Sequence, residues 1–410
     1  MSSSAPRPSA VDRYLLLGAT VFLALGGLLM IFSASSARDF LELGDSWVHV
    51  RNQALFLLVG TVGLAAASRF PVKLVRTLGW WVLGGSDLLL LLVFVMGVGK
   101  WGATRWIDLG FTTLQPSEFA KLGCVLVVAS IMADRIDRPR PLKDDLIEGG
   151  LAVGIPFVFV MLQPDMGTAM SILLAVFIVL VLGGLPWRLI VTTVLGGLGG
   201  VAALILLAPY RAGRFLAFLN PAADPQGAGY QIIQAKLAFG SGGILGLGLG
   251  MSRQKYLYLP AAHTDFIFAI IGEELGLIGA VAVVLGFALM CYAGVRIALT
   301  AKDSYSRLLA GGLVGMIVTQ ALINMGSVTG LMPVTGVPLP LVSYGGSSLV
   351  FTLACIGLIL AVGREAAGSA ARVRPKSHET EGSARARSGE RRGNGRPRLS
   401  GAGGGGSRRN

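Results

Sequence analysis

The chain has 410 residues, of which 53% are hydrophobic and only 14% are charged, and its formal net charge is +13. Soluble domains carry nearer a quarter of charged residues, whereas apolar runs of about 18 residues or more recur along most of this sequence. The composition excludes a soluble globular protein and predicts a polytopic membrane protein. The runs do not alternate polar and apolar residues, which excludes a membrane β-barrel.

In chain order, the apolar runs predict an all-α membrane protein, a polytopic bundle of about ten transmembrane helices. A short segment, 1–13, precedes a membrane domain of 14–363. Lys and Arg concentrate in alternate short connections, so the positive-inside rule places those connections and both termini in the cytoplasm. The predicted spans are 14–34, 53–67, 77–98, 115–133, 147–162, 168–184, 188–208, 266–294, 307–329 and 341–362.

Two segments fall outside the predicted bundle. The long connection of about 209–264 is predicted to be one large extracytoplasmic loop, with a short amphipathic helix near the surface followed by an irregular glycine-rich backbone. The segment 364–410 is rich in Gly, Ser and Arg, which predicts a disordered basic cytoplasmic tail. Attraction to anionic lipid is the favoured role for this charge, because no aromatic residues are interleaved to support nucleic-acid binding.

Unusual polar, Gly and Pro clusters all fall at the predicted outward ends of the spans. A carrier with alternating access needs working groups that are reachable from both faces of the membrane. The one-sided distribution therefore predicts an enzyme or a receptor that works at the outer membrane surface. The clusters lie in 100–121, 163–168, the long loop, 261–266 and 324–348.

The stretch "HTDFIFAIIGEELG" carries acids in an otherwise apolar run, where each acid is costly and needs a reason. Thr264 or Asp265 is predicted to cap the helix that follows. On a helical wheel, Glu274 lies about 180° and Glu273 about 80° from Asp265. The glutamates are therefore predicted to lock the helix internally, and Asp265 to be either the reactive acid or a plain cap. For His263, a supporting role is favoured over metal ligation.

Three further polar features have both a structural and a functional interpretation. Glu118 and Lys121 are three residues apart, so they can pair on one helix face or contact a substrate. Arg105 is either an interfacial anchor or a contact for sugar and phosphate. Asp165, in "QPDMGT", is predicted to cap the next helix.

Six ordered motifs resemble those of the SEDS family, the shape, elongation, division and sporulation proteins, over about 14–363. They are "QPSEFAK", "QPDMGT", "GYQIIQA", "GSGGILGLGLG", "HTDFIFAIIGEELG" and "PLPLVSYGGSS". The resemblance implies ten membrane helices and the polymerisation of peptidoglycan from lipid II on the outer face. The residues of the "HTDFIFAIIGEELG" motif and the presence of a tail after the last helix favour the division branch of the family over the elongation branch. Thr335 stands where some division members carry Lys, and Leu257 where some carry an acid.

The resemblance also implies a role for Asp265 as the essential carboxylate, which would take the proton from the acceptor sugar hydroxyl. The leaving group would be a lipid diphosphate, whose growing charge calls for cations or for a divalent metal ion such as Mg²⁺ or Mn²⁺. The candidate cations are Arg105, Lys121, Arg211, Arg214 and Lys236. Glu118, Gln231 and Ser343 complete the expected substrate-binding set.

The expected partners are lipid II, the growing glycan strand, a class B penicillin-binding transpeptidase, other division proteins and the membrane; nucleic acid is not expected. Two other functions stay open. A lipid II flippase would need functional polar groups on both faces. A non-enzymatic division scaffold would tolerate a conservative replacement of Asp265 without effect.

Overall fold

The computed structural model describes residues 10–100, 103–108, 110, 113–139, 141–206, 209–227, 229–256 and 258–373. The chain divides into one compact unit, Met1–Ser369, and a second unit, Ala370–Asn410, of which only the end of one helix is described. The helices of the described residues are α1 Ala10–Leu43, α2 Val48–Arg69, α3 Val72–Met96, α4 Pro116–Asp137, α5 Leu142–Leu162, α6 Met166–Leu182, α7 Trp187–Leu206, α8 Pro209–Leu219, α9 Tyr230–Gly242, α10 Ile267–Glu274, α11 Gly276–Leu299, α12 Ser304–Thr329 and α13 Gly346–Val373.

Each predicted span coincides with helix, which confirms the polytopic helical bundle. Within the described residues, seven helices are long and apolar enough to cross a membrane: α1, α2, α3, α5, α11, α12 and α13 up to Gly368. The apolar helix α6 is shorter, and α4 and α7 occupy the predicted spans 115–133 and 188–208. α12 lies at the centre, where it packs against α4, α6 and α11.

A small antiparallel sheet between α3 and α4 is the one departure from an all-helical chain in the described residues. Its strands are β1 Gly97–Lys100, β2 Ala103–Asp108 and β3 Thr113–Leu114, in the order β1-β2-β3. The sequence did not predict these strands, because runs this short do not establish a period of two residues. The sheet carries Arg105 on β2, close to the start of α4.

The predicted extracytoplasmic loop, 209–264, contains more helix than expected. α8 opens it, the 3-10 turn Pro221–Ala223 follows, and α9 confirms the predicted short helix. α9 packs against both α10 and α12 rather than lying free at the surface. The glycine-rich half that follows has the irregular backbone that the sequence predicted, with positive φ at Gly243, Gly246, Gly248 and Gly250.

The predicted span 266–294 is two helices, α10 and α11, which meet at Leu275. The break occurs because Gly276 adopts φ +65°, a left-handed conformation that ends one helix before the next begins. α11 alone has 24 residues and is about 36 Å long, enough to cross a hydrocarbon layer of about 30 Å. The acids of α10 therefore do not lie in the middle of a membrane helix, which removes the difficulty that the sequence posed.

Glu273 and Glu274 hold the segment that follows the glycine-rich loop. Glu273 accepts hydrogen bonds from the Ser252 hydroxyl and from the Arg253 amide at 3.1 Å. Glu274 accepts from the Ser33 hydroxyl at 2.6–2.7 Å and pairs with the Lys255 ammonium at 3.4 Å. Both glutamates are almost completely buried. The prediction that the pair locks the helix internally is confirmed.

The helix α13 continues past Gly363, the predicted end of the membrane domain 14–363, to Val373, so the first ten residues of the predicted tail 364–410 are helical. Two side chains beyond Gly363 are part of the bundle. The Arg364 guanidinium donates to the Arg69 carbonyl at 3.0 Å, and the Glu365 carboxylate accepts from the Val72 amide at 2.9 Å. The rest of the predicted tail, 374–410, and most of the N-terminal segment, 1–9, lie outside the described residues.

The buried carboxylate of Glu273 yields a stability prediction. Glu273→Gln should lower the free energy of unfolding by about 1.5–3 kcal/mol, because the new amide group faces backbone N–H donors and the charge that they stabilise is lost. The measurement is thermal or denaturant unfolding of the purified protein in detergent.

Glu42→Gln is the matched control, since Glu42 forms an exposed pair with Arg38 at 2.9 Å. Exposed pairs contribute about 0–1 kcal/mol. Equal destabilisation by the two substitutions would contradict the assignment of Glu273 as an internal lock.

Candidate active site

The Asp265 side chain does not cap α10. The cap position of α10 is Phe266, and no side chain there accepts a capping hydrogen bond. A turn closed on Ala261 precedes the helix: the Thr264 and Phe266 amides both donate to the Ala261 carbonyl, at 3.1 and 3.2 Å. The predicted capping role of Thr264 or Asp265 is therefore wrong, and the Asp265 carboxylate is available for other contacts.

Two arginines from distant parts of the chain lie in the electrostatic environment of Asp265. Burial raises the pKa of Asp265 to about 6, while Arg214 on α8 and Arg105 on β2 lower it and Asp165 raises it further. An acid with this pKa is mostly ionised at pH 7, and it takes up a proton close to neutrality. Such a pKa suits a general base.

Asp165 holds Arg105 in place. Its carboxylate caps α6 by accepting from the Thr168 amide at 3.1 Å and hydroxyl at 2.9 Å, which confirms the predicted cap. The same carboxylate lies 3.5 Å from the Arg105 guanidinium, which also donates to the Pro164 carbonyl. Arg105 is thus fixed to the start of α6 rather than being a free interfacial anchor.

The connection between α12 and α13 forms the next wall of the site. Arg214 donates to the Val334 carbonyl at 3.4 Å. A Cβ atom placed on Gly336 would lie 3.5 Å from Asp265 Oδ2 and 3.9 Å from Arg214 Nη1. Gly336 therefore lies next to both the carboxylate and the guanidinium, and its φ of +72° is a backbone conformation that favours glycine. Thr335, the departure from the division pattern, precedes it directly.

Ser343 joins the α12–α13 connection to the backbone before Asp265. Its hydroxyl donates to the Thr264 carbonyl at 2.6 Å and accepts from the Leu339 amide at 2.8 Å. The side chain is buried. Because Thr264 directly precedes Asp265, Ser343 holds the backbone next to Asp265 in position. The predicted contact of Ser343 with substrate stays a prediction.

Glu118 and Lys121 form a buried pair on α4. Lys121 Nζ lies 2.9 Å from Glu118 and donates to Gln320 on α12 at 2.7 Å. Gln320 in turn donates to the Pro338 carbonyl at 3.1 Å. The structural pairing is confirmed, and through Gln320 it reaches the same α12–α13 connection that lines the Asp265 site.

The remaining candidates are placed on α8 and α9. Lys236 is exposed on α9, and its Nζ would lie 3.5 Å from a Cβ placed on Gly330 at the end of α12. Gln231 lies half-buried on the same helix. The structure does not bring either residue into contact with Asp265. The side chain of Arg211 and all of Leu257 lie outside the described residues.

His263 lies in a second cluster beside the site. Its ring centroid is 4.8 Å from that of His49 and 5.8 Å from that of Tyr344. Burial lowers the pKa of His263 to about 4, His49 and Arg38 lower it further, and Asp39 opposes them. His263 is therefore neutral at pH 7, and the Tyr344 amide donates to its backbone carbonyl at 3.0 Å.

Asn324 and Gln320 are the contributors that sequence reasoning missed. The Asn324 amide donates to the backbone carbonyls of Asp265 and Val337, both at 2.8 Å. A signal was present in the sequence, because two buried amides four residues apart share one face of an otherwise apolar helix. Within the described ranges, no three His, Cys, Asp or Glu side chains gather as a metal site.

The fold and the site together define a polytopic helical membrane protein with a carboxylate and two arginines grouped at one end of its bundle. The family model for FtsW, RodA and SpoVE, described as a cell cycle protein, matches residues 13–368. The chain belongs to this family.

Individual relatives agree with that assignment. The chain is 39% identical over 347 residues to Stage V sporulation protein E of Bacillus subtilis (strain 168), which covers 84% of this chain and 95% of that protein. It is 38% identical over 352 residues to a probable peptidoglycan glycosyltransferase FtsW of Geobacter sp. (strain M18), with 85% and 96% covered.

Solved structures match the fold over most of its length. A chain from a peptidoglycan synthase complex, studied for its coordination of polymerization and crosslinking, superposes with a TM-score of 0.71 at 31% identity and covers 87% of this chain and 98% of that one. The crystal structure of the rod shape determining protein RodA of Thermus thermophilus gives a TM-score of 0.65 at 30% identity, with 85% and 96% covered.

The electrostatics of Asp265 predict how activity depends on pH. Since a general base must be ionised, kcat/KM should fall as the pH drops through about 6. Arg214 stabilises the ionised form, so Arg214→Gln should raise the pKa of Asp265 and move the acidic limb of the profile to higher pH. The measurement is kcat/KM for glycan polymerisation across pH 5–8.

Lys236→Gln is the matched control, because Lys236 is a cation on the same long connection that does not contribute to the shift at Asp265. It should leave the acidic limb in place whatever it does to the rate. An unchanged limb in Arg214→Gln would contradict the pairing of Arg214 with Asp265.

Proposed function

We propose that the chain is a peptidoglycan glycosyltransferase that polymerises lipid II into β-1,4-linked glycan strands on the outer face of the cytoplasmic membrane. The observation that carries the proposal is the position of Asp265: a carboxylate with a pKa of about 6, beside Arg214 and Arg105, in a chain of the FtsW/RodA/SpoVE family. Relatives that are named as probable peptidoglycan glycosyltransferases support it.

In the proposed reaction, Asp265 accepts the proton of the acceptor sugar hydroxyl. That oxygen forms its bond to the anomeric carbon of the donor as the bond from this carbon to the diphosphate oxygen breaks. The electron pair leaves with the lipid diphosphate. General-base catalysis of this kind contributes about 10²–10⁴ to the rate.

Arg214 and Arg105 are proposed to offset the negative charge that grows on the diphosphate. Preorganised cations are effective there because they need no reorganisation during the reaction. A divalent cation stays a proposal for the same task. The described residues do not form a dedicated cage for one, and no step above depends on a metal.

The orientation is also part of the proposal. Basic residues in alternate short connections support cytoplasmic termini and an outward-facing site. The multi-pass bundle and the family membership support the cytoplasmic membrane as its location. A site at one end of the bundle, rather than groups accessible from both ends, favours an enzyme over a flippase.

We assign the chain to septal wall synthesis in cell division, with a class B penicillin-binding transpeptidase as its partner. The division role is supported by the relatives named FtsW. The solved RodA structures favour elongation as the second candidate. The partner is supported by the structure that links polymerization to crosslinking. Lipid II, the glycan strand and other division proteins complete the proposed partners.

Asp265→Asn tests the enzyme assignment directly. The substitution keeps the shape of the side chain and removes the proton acceptor, so turnover should fall by about 10²–10⁴. The measurement is polymerisation of labelled lipid II by the purified protein, with folding checked by gel filtration and thermal unfolding.

Asp108→Asn is the matched control, because Asp108 is an exposed acid on β2 whose carboxylate accepts from the Gly110 amide at 2.8 Å. It should retain near-normal turnover. A well-folded Asp265→Asn protein with the turnover of the control would exclude Asp265 as the base. Absence of polymerisation by the unsubstituted protein would instead favour the scaffold or flippase functions.

The partner assignment has its own test. Purified protein should bind a class B penicillin-binding protein of the same organism, and polymerisation should rise when the two are combined. Polymerisation that is equally fast with and without the transpeptidase, at concentrations where the two co-purify, would contradict a coupled synthase.

A further inference from the structure

Two polar contacts of α1, one with the last residue of α10 and one with α11, mark the ends of the apolar length that α1 and α11 share. At one end the Ser33 hydroxyl contacts Glu274, directly before α11 begins. At the other end Arg296 lies 3.6 Å from Asp12. Between these contacts, 14–32 and 276–295 contain no Lys, Arg, Asp, Glu or His.

The spacing of these contacts equals the thickness of a hydrocarbon layer. At a rise of 1.5 Å per residue, the helix from Gly276 to Arg296 is about 30 Å long, and the hydrocarbon core of a bilayer is about 30 Å thick. This length suits a position of the Ser33–Glu274 contact at one boundary of the membrane and of the Asp12–Arg296 contact at the other.

The glycine loop, defined here as 243–251, is fixed at the boundary marked by Glu274. The amides of Leu277 and Ile278 donate to the carbonyls of Gly243 and Ile244, at 2.9 and 3.3 Å. In the other direction, the Leu247 amide donates to the Glu273 carbonyl at 3.0 Å. These backbone contacts set the depth of the glycine loop at the first turn of α11.

Glycine is required for this contact. A Cβ atom on Gly246 would collide with the Glu274 carbonyl, and one on Gly276 would collide with the amide of Gly246 and the carbonyl of Ile244. Both glycines also have positive φ. The backbone of the glycine loop therefore lies directly on the backbone of the α10–α11 junction, which leaves the loop side chains facing outward.

Those outward side chains are large and apolar. Leu245 is 79% exposed, Ile244 68%, Met251 65% and Leu249 54%. They continue the exposed surface of α11, where Leu277 and Ile278 open a face that runs along the membrane span. An apolar patch of this kind on the outside of a protein marks an interaction surface.

The residues that follow the glycine loop have the composition of a membrane interface. Arg253, Tyr256 and Tyr258 are all exposed. Tyrosines concentrate at the headgroup level of membrane proteins, and a cation next to an apolar segment favours anionic lipid headgroups. The apolar side chains of the glycine loop are thus followed along the chain by a cation and then by two tyrosines, the order expected at a membrane boundary.

We propose that the glycine loop inserts Ile244, Leu245, Leu249 and Met251 into the headgroup–acyl boundary of the lipid bilayer. The occupant is lipid rather than protein, because the loop lies at the height of the boundary and continues the lipid-facing side of α11. Insertion also anchors the segment that Glu273 and Glu274 bind. The proposal depends on the membrane topology of α11 and holds for either orientation of the chain.

The test measures lipid contact at single residues. Leu245→Cys is labelled with an environment-sensitive NBD fluorophore, and the protein is reconstituted without partners into nanodiscs of phosphatidylcholine and phosphatidylglycerol. Leu285→Cys, an exposed position further along α11, gives the signal of a lipid-embedded site, and Gln226→Cys, exposed in the same long connection, gives that of a water-exposed site. The unsubstituted chain, labelled in parallel, gives the background of Cys124, Cys291 and Cys355.

The label at Leu245 should emit at shorter wavelength than the label at Gln226, and lipid nitroxides should quench it several-fold more. Insertion at the interface reaches about 5–10 Å into the bilayer, so a nitroxide near the headgroup should quench it more than one at the chain end. The label at Leu285 should show the opposite preference.

Two results would overturn the proposal. Quenching by aqueous iodide equal to that of the Gln226 label would show a water-exposed loop. Protection from both iodide and lipid nitroxides would show a loop covered by protein, for example by a second copy of the chain. Leu249→Cys provides a second reading if labelling at Leu245 impairs folding, with monodispersity on gel filtration as the criterion.

Discussion

The side-chain amide of Asn324 joins the two non-helical segments from which the candidate site is built. One amide group donates to the carbonyl of Asp265 and to that of Val337. Irregular backbone near a membrane leaves polar groups that neither a helix nor water satisfies, so protein must satisfy them. Gln320 and Ser327, on the same helix, supply further contacts to the α12–α13 connection.

This arrangement explains why α12, a largely buried helix, carries amides and hydroxyls towards its end. Together with Ser343, which donates to the Thr264 carbonyl, those side chains fix the connection after α12 relative to the loop before α10. Gly336 in that connection lies next to Asp265 and Arg214. The geometry of the reactive carboxylate therefore depends on α12, although α12 contributes no charged group to it.

The three acids of "TDFIFAIIGEE" show how environment divides the work among identical chemical groups. Glu273 and Glu274 accept hydrogen bonds from backbone amides and hydroxyls, which fix the neighbouring loop. Asp265 is desolvated and faces arginines instead. Desolvation makes its proton affinity high enough for proton transfer, and the arginines keep it ionised at neutral pH.

The helices and the cap at Asp165 could be predicted from sequence because each depends on residues that are close together in the chain. Apolar runs have the length of membrane helices, and Asp165 precedes α6 in the order that a cap requires. The break at Leu275 could not be predicted, because the conformation of Gly276 depends on contact with Gly246, which is distant in the sequence. The predicted cap at Thr264 or Asp265 failed for a local reason, since a turn closed on Ala261 delays the start of α10.

The lengths of two helices suit a position of Asp265 at the membrane boundary. From Ser304 at the start of α12 to Asn324, which binds the Asp265 carbonyl, the helix is about 30 Å long, the thickness of a hydrocarbon layer. The contact of Ser33 on α1 with Glu274, directly before α11, suits the same level. The height of Asp265 relative to the membrane matters for a donor that is linked to a lipid diphosphate. The diphosphate of such a donor lies at the membrane boundary while the lipid tail stays in the bilayer. In the proposed reaction, the sugar would then reach Asp265 without extraction of the lipid, because the helix ends set the height of the carboxylate.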